Sequence, residues 1–546
     1  MVLQLEMKTN SDPNESAVVA IDGIEYEIIG ESTKEEWNTY SIPFEAQSSS
    51  TELHIFSPQS NTGAGQPNLD NVILVADCNG DGISDYAQII DGSLEDLNGD
   101  GVPDLCEDLI VVDQGESIQD AIDSAPAGST IQIAAGTFAP DSQLLVGEKV
   151  LTIRGSTDLD GNPTTILDGQ DSTRLLLGSG LSNGPIVLEN LVFERGNNTG
   201  VGGGAVLIRD AADLAFLNCT FRNNHADEDG GAVSIREEPF STAAFTNCRF
   251  LDNSAGDDGG AVQSLGGLAM VDCTFDSNFA ASTNGNYDGG GAIRGARGEM
   301  SFDGCTFTGN ATNGFHGGGA ILATEPDSVV VTSCLFDSNE ALGTGSGQPG
   351  SGGVGAAICL RLTGVAEVSD SSFINNTARG DGAVYLRDEI ISTWTNCDFE
   401  GNSATWDTGA FGMTSSDDGV GCTTTLRACR FTGNFTTNGN SQSSVLFNGP
   451  NEETLIELCR FTENGEPGAV IVNPGGTLLT IASTLFCSNF GADIDSEYTD
   501  GGGNCFSSSC SDLDQDGILD QCDPCPTWPG TCSEDGDTLF VSSDDG

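Results

Sequence analysis

Basic side chains are scarce in this chain: 18 Lys and Arg stand against 82 Asp and Glu, a formal charge of −64 at pH 7 over 546 residues. A field of that sign repels phosphates, so nucleic acid and anionic membrane surfaces are excluded as partners, while divalent cations are drawn in. Adaptation to salt water yields the same composition, and the two readings are compatible. Histidine is nearly missing, with isolated copies at His54, His225 and His316. No stretch approaches the roughly 18 apolar residues of a membrane span, and residues 1–10 lack the basic and apolar segments of a secretory leader. Helix formers are thin as well, since Gly alone supplies 73 positions and each costs about 1 kcal/mol inside a helix.

What is abundant is one phrase, apolar-x-apolar-x-x-Cys-x-Phe-x-x-Asn, followed by a polar loop, Gly-Gly-Ala and a short apolar alternation. Ten copies end in Phe-x-x-Asn, from Phe221 and Asn224 to Phe486 and Asn489, at a period of 25 to 37 residues. Such a period means stacked units sharing one elongated core rather than several globules. Counting back from each Phe, positions −5 and −7 are apolar or small, as in Phe216 and Leu214 or Phe302 and Met300. A shift of one residue between −5 and the Cys at −2 predicts two short strands joined by a bend, both turned inward. Val206 and Ile208, or Val233 and Ile235, supply a third strand after Gly-Gly-Ala. Three short strands per turn predict a parallel β-helix of about twelve or thirteen rungs, a rod near 60 Å long at about 4.8 Å per rung. Ladders of Phe, Cys and Asn follow from the stacking.

Before the repeats, Ser117-Ile118-Gln119-Asp120-Ala121-Ile122 reads as an N-capped amphipathic helix stopped by Pro126, with short β runs after it. This order resembles the N-terminal cap and first turns of right-handed parallel β-helices of the pectin-lyase-like superfamily. The pairing of Gly-Gly-Ala with Phe-x-x-Asn over residues 203–489 resembles the chlamydial polymorphic membrane protein repeat, found in surface adhesins and autotransporter passengers. Two departures stand out. No membrane β-barrel follows residue 490, and some copies keep one Gly, as in Asp381-Gly382-Ala383 and Thr408-Gly409-Ala410. Self-export by that family's route is therefore not implied.

Three acidic loops carry a calcium pattern. Asp96, Asn98, Asp100, Gly101, Asp104 and Glu107 occupy positions 1, 3, 5, 6, 9 and 12 of an EF-hand-type loop, with the Val102 carbonyl at position 7. Hard oxygen donors on alternate residues, a Gly at the sharp turn and a distal carboxylate suit Ca²⁺. An earlier copy, Asp77, Asn79, Asp81 and Asp85, has Gln88 at the twelfth position and is the weaker site. A third, Asp512, Asp514, Asp516, Asp520 and Asp523 followed by Pro524-Cys525-Pro526, resembles thrombospondin type 3 repeats. The competing reading is a metal-free acidic linker; with metal, the role is to stiffen a junction. Cys78 and Cys106 could close the first pair, and Cys510, Cys522, Cys525 and Cys532 the last, with connectivity open.

Residues 1–75 hold short β runs at 18–21, 26–29, 37–44 and 53–56 and a closing run ending at Leu74. They resemble part of a galactose-binding-like jelly roll. With the calcium loops, the whole layout is similar to large surface proteins of planctomycete-type bacteria. The expected domains are 1–75, the partial jelly roll; 76–108, the calcium-loop pair; 109–505, the β-helix; 506–532, the thrombospondin-like motif; and 533–546, a tail that parallels the lead into the β-helix cap. The incomplete jelly roll and this tail suggest a piece of a longer protein.

Candidate chemistry is sparse. The repeated cysteines have no Cys-x-x-Cys and stack in a line, so a buried thiol ladder is expected, with disulfides between rungs as the alternative. Asp229, Asp258 and Asp407 precede Gly-Gly-Ala at one offset, with Asp288 and Asp381 one residue away. They read as splayed, solvated acids or as a weak Ca²⁺ edge. A polysaccharide lyase or glycoside hydrolase acting on acidic polysaccharide would draw on Asp257, Asp258, Arg236, Arg294 and His316. No ordered set resembles a known signature, so no catalytic residue is assigned. Trp406 and Tyr287 are candidates for stacking on sugar rings. The expected function is a calcium-stiffened, non-catalytic structural or adhesive protein at the cell surface or outside the cell. Its expected partners are glycans or matrix proteins, it has no transmembrane segment, and it is a monomeric rod.

Overall fold

The computed structural model describes residues 109–510 together with the backbone of six earlier strands. Within 109–510 it omits 148, 181–185, 201, 211–212, 237–240, 282–288, 344–351, 416–419, 438–442, 450, 466–468, 474–477, 491 and 496. The chain divides into two units, Met1–Ile110 with Gly128–Gln132, and Val111–Ala127 with Ile133–Gly546. The calcium loops at 77–107 and 512–523 lie outside the described residues, as do Asp288 and Tyr287.

In the first unit, Val2–Lys8 pairs antiparallel with Asn38–Pro43 and Asn68–Val75, and Ser16–Ile21 pairs with Ile24–Ile29 and Leu53–Phe56. The strand at Val2–Lys8 adds to the runs expected from sequence; its alternation of Leu3, Leu5 and Met7 carries the period of two.

The second unit is an all-β parallel solenoid with one helix, α1 (Ile118–Ser124), among its described residues. The Ser117 hydroxyl accepts the Asp120 N–H at 3.1 Å, and α1 buries Ile118, Ala121 and Ile122. Its last carbonyls would be orphaned, since Pro126 follows. The Lys149 ammonium reaches the carbonyls of Ile122, Asp123 and Ala125 at 3.3, 2.9 and 2.9 Å.

Among the described residues three parallel sheets, of thirteen, fifteen and fourteen strands, run along the stack. They hold, respectively, the strand after Gly-Gly-Ala, the strand at −7 to −5, and the strand carrying Phe. Among the described residues a fourth ladder of nine two-residue strands runs from Asn197–Asn198 to Phe435–Thr436, its later members, such as His225–Ala226, directly following the Asn residues from Asn224 to Asn434. This is one strand per rung more than the sequence pattern implied, because two residues are too few to show a period. Bends between sheets are made by left-handed residues, Asn218 at φ 50° and Asn223 at φ 54° in one rung. The same places hold Gly304 and Gly309 in another.

Inside the stack, identical residues meet across each rung. Phe193 through Phe506 form one column whose neighbouring rings lie 4.6–5.0 Å apart and within 7° of parallel. Strand spacing imposes this face-to-face offset, and Phe216 meets Phe221 edge-on at 5.5 Å. The Asn column is fully buried from Asn224 to Asn464, apart from 1% exposure at Asn253. Asn339 shows its chemistry: Nδ2 donates to the Phe307 carbonyl at 2.9 Å and to Asn376 Oδ1 at 3.0 Å. Its Oδ1 accepts the backbone N–H and Nδ2 of Asn310, both at 3.0 Å.

The repeated thiols are free and buried, so disulfides between these rungs do not form. Each Sγ–H points at a carbonyl of the preceding rung, as Cys219 does to Leu188 at 3.4 Å. Ser371 and Thr484 take the same place and accept the N–H of Cys334 and Cys459. The array also continues one rung past the last phrase: Phe506 stacks on Phe486, and Asn504 stands where Cys would, accepting the Thr484 N–H at 3.0 Å. Cys510 does not join the distal calcium-motif cysteines. It returns to Cys487 on the preceding rung, with Cα atoms 5.4 Å apart.

Candidate functional site

The chemistry-bearing residues collect on the outer face of the thirteen-stranded sheet, under the loops that precede it. The double Gly brings those loops down. Gly259 sits at φ +62°, and a Cβ on Gly260 would lie 2.0 Å from the Gly291 carbonyl oxygen of the next rung. In Asp381-Gly382-Ala383 the first Gly is lost and the second kept, because a Cβ on Gly382 would lie 2.1 Å from the Gly409 oxygen. Contact between rungs, more than the left-handed turn, therefore selects the glycine.

Beneath these loops the outward strand positions read Ser234, Gln263, Arg294, Leu322, Cys359, Tyr385 and Gly412 from rung to rung. Each differs from its neighbour, and those from Ser234 to Tyr385 are at most 8% exposed. Ser234 donates to Gln263 Oε1 and Gln263 donates to Asp229 Oδ2, both at 2.9 Å. Asp258 accepts the Gly289 N–H at 2.8 Å and faces Arg294 Nε at 3.4 Å. These acids are not splayed into solvent: each ties its loop to the following rung. Burial raises the Asp229 carboxyl above its ordinary value, against the pull of Arg236.

Further along, Arg361 hydrogen-bonds Nδ1 of His316, and the Cys359 thiol donates to the His316 carbonyl at 3.2 Å. Burial, then the charges of Arg361, Arg387 and Arg294, lower His316 to about 3, so its imidazole is neutral near pH 7. Burial pushes the Cys359 thiol up to about 12. Asp381 is 4% exposed; desolvation first, then the neighbouring Asp407 charge, hold its carboxyl well above the usual range. The Tyr385 hydroxyl meets Thr414 Oγ1 at 2.6 Å.

The structure thus brings Asp258 to Arg294, leaves Asp257 half-buried one residue away, and places His316 with Arg361 rather than with either acid. Arg236 is half-buried, and its charge reaches Asp229. His225 contacts Ser254 Oγ at 2.9 Å and Asp227 at 3.3 Å on the short ladder. Asp381 was singled out in the sequence as one of the loop acids, whereas Arg361, Arg387 and Tyr385 were missed, because the outward positions of this sheet carry no residue type that recurs along the whole stack. Glu452, 1% exposed, was missed too; it accepts the Cys422 N–H, and burial pushes it up to about 7. Among the described residues no cluster of His, Cys, Asp and Glu is arranged to hold a metal ion.

A separate cleft of about 460 Å³ opens on the short ladder, lined by Leu342, Thr377, Ala378, Arg379, Thr405 and Trp406. Among the described residues no helix is long and apolar enough to cross a membrane.

A family model for the Chlamydia polymorphic membrane protein repeat matches residues 218–236, the span from the Asn218 bend through Phe221, Asn224 and Gly230-Gly231-Ala232. No curated protein matches the chain in sequence. Among solved structures, the chain is similar to the catalytic unit of a thermostable GH87 α-1,3-glucanase from Streptomyces thermodiastaticus. That pair is 13% identical with TM-score 0.35, covering 93% of this chain and 87% of that one. The Azotobacter vinelandii mannuronan C-5 epimerase AlgE4 A-module is 12% identical with TM-score 0.30, covering 73% and 96%. The alginate lyase AlyF-OU02 is 13% identical with TM-score 0.28, covering 72% and 86%.

Proposed function

We propose that this chain is a non-catalytic structural or adhesive repeat protein working outside the cell or at its surface, with glycans or matrix proteins as partners. One observation carries the reading: Asp258, Arg294, His316 and Arg361, groups that could do chemistry, are spent on contacts between rungs. Hydrolysis of a glycosidic bond needs two carboxyl groups facing each other across an open cleft. Asp258 is instead committed to the Gly289 N–H and Arg294, and Asp381 is buried. An elimination base must reach a sugar C–H, yet Arg294 and Arg361 are 8% and 4% exposed. A match to a membrane-protein repeat over residues 218–236 is compatible with a surface location.

The three calcium loops stiffen the junctions at both ends of the solenoid in this reading. Their chemistry is that of Asp96, Asn98, Asp100, Asp104 and Glu107, with the weaker and distal copies beside them. Calorimetry of the full chain should show heat on Ca²⁺ addition, and EGTA should lower the melting temperature. No heat would remove the calcium part of the proposal.

The enzyme alternative is tested by incubating the full chain with neutral and acidic polysaccharides in Ca²⁺ and following reducing ends and unsaturated-product absorbance. No product is expected. Product that disappears in Asp257→Ala and Asp258→Ala would overturn the non-catalytic reading.

A further inference from the structure

The cleft at Trp406 departs from the repeat in the residues that follow its ladder Asn. Counting from each ladder Asn, the fourth residue is Glu228, Asp257, Gly314, Gly343 or Gly380 in other rungs and Trp406 in this one. The third is Asp227, Gly256, Ala281 or Asn313 in the earlier rungs and Leu342, Arg379 and Thr405 in three successive ones. Those three rungs form the cleft. Its floor is held by main-chain bonds: Arg379 N–H to the Ala341 carbonyl at 2.9 Å, and Thr405 and Trp406 N–H to the Ala378 and Arg379 carbonyls at 3.1 Å. Arg379 Nη1 donates to the Gly343 carbonyl at 3.0 Å, which fixes one of the five guanidinium N–H groups and leaves the fork oriented. Trp406 is half-buried and Leu342 is 48% exposed. The cleft therefore offers an indole, an apolar neighbour, two exposed threonines, of which Thr377 shares its hydroxyl with Ser403 Oγ at 3.2 Å, and a preset fork of donors.

From this we infer that the cleft is a saccharide subsite: the indole of Trp406 takes the C–H face of a hexose ring, and Arg379 and the Thr377 and Thr405 hydroxyls take its hydroxyl groups. Apolar stacking beside a few convergent polar groups is how concave sites fix a small polar ligand. Charge decides the class. A chain of −64 repels polyuronates at long range, so the ligand is a neutral hexose oligosaccharide. The inference rests on the non-catalytic reading, and its failure is separable from the failure of that reading.

The test is titration of the full chain with glucose, galactose and mannose tetramers and with tetragalacturonate, read by calorimetry. At least one neutral tetramer should bind, and tetragalacturonate should bind at least tenfold more weakly. Trp406→Ala should weaken the neutral tetramer tenfold or more, Trp406→Tyr should restore most of the affinity, and Arg379→Lys should cost several-fold. An unchanged melting temperature in Trp406→Ala shows that the fold is kept. If that variant melts early, Trp406→Tyr and Arg379→Lys decide alone. No binding by any neutral tetramer, equal binding in the variants, or a preference for tetragalacturonate would overturn the inference. Product release in the same mixtures would instead overturn the non-catalytic reading.

Discussion

The Asn column and the outer face of the thirteen-stranded sheet are both buried and both polar, yet they are built by opposite rules. In the column, every Asn meets an Asn, so one pair of bonds is repeated from Asn224 to Asn489. On the outer face, Ser234, Gln263, Arg294, Cys359 and Tyr385 each meet a different neighbour, and every contact is solved locally. Translation by one strand spacing enforces the first pattern, because an inward side chain has only its own image above and below. An outward side chain also meets a loop, and the loops differ in length and composition.

This contrast predicts where damage spreads. The largest effect belongs to Phe307→Ala, which removes a ring stacked on Phe275 and Phe336 at 4.8 and 4.7 Å and should cost about 3–5 kcal/mol in equilibrium unfolding. Asn339→Ala comes next, at about 2–4 kcal/mol, since it orphans the Phe307 carbonyl and the Asn310 N–H inside the stack. Gln263→Ala, which breaks the side-chain bonds to Ser234 and Asp229 on the outer face, should cost only about 1 kcal/mol. Equal losses for Asn339→Ala and Gln263→Ala would erase the distinction between the two regions.

The pH dependence comes from the locally solved sites. Glu452 has its folded value raised by burial to about 7, so the folded state holds its proton longer than the unfolded state does. Its contribution is present below the ordinary carboxyl range and is lost as pH rises through about 7. His316 is the reverse: with its folded value lowered to about 3, its contribution is present above the ordinary imidazole value and is lost as pH falls toward 3. Glu452→Gln should flatten the alkaline arm of a melting-temperature profile and leave the acid arm alone. The smallest effect is Cys334→Ser, expected to change stability by less than about 1 kcal/mol, because Ser371 already fills that place one rung on.

The periodic part of the fold was legible. The Phe, Cys and Asn columns, the capping helix at Ser117 and the strand after Gly-Gly-Ala all stand where spacing put them. The fourth ladder was hidden by its two-residue strands. The rung at Phe506 was hidden because Asn504 replaces Cys and Ser509 stands where Asn would. Of the candidate site, Asp257, Asp258, Arg236 and Arg294 were legible as candidates on nearby rungs, and the structure selects the pairing of Asp258 with Arg294. The Arg361 contact to His316 crosses 45 residues and a loop of unusual length, so nothing in the spacing announces it. Arg379 carried a readable mark, as a cation where the earlier rungs hold Asp, Gly, Ala or Asn.

By itself, then, the sequence determined the stack, because one repeated phrase admits one way of burying Phe and satisfying Asn. Only the tertiary structure decided what the acids and arginines of the loops do. Whether an Asp faces water, an Arg or the N–H of the next rung depends on how far a loop folds down over its neighbour. That distance is set by close contacts such as the one at Gly260, not by any residue's own preference.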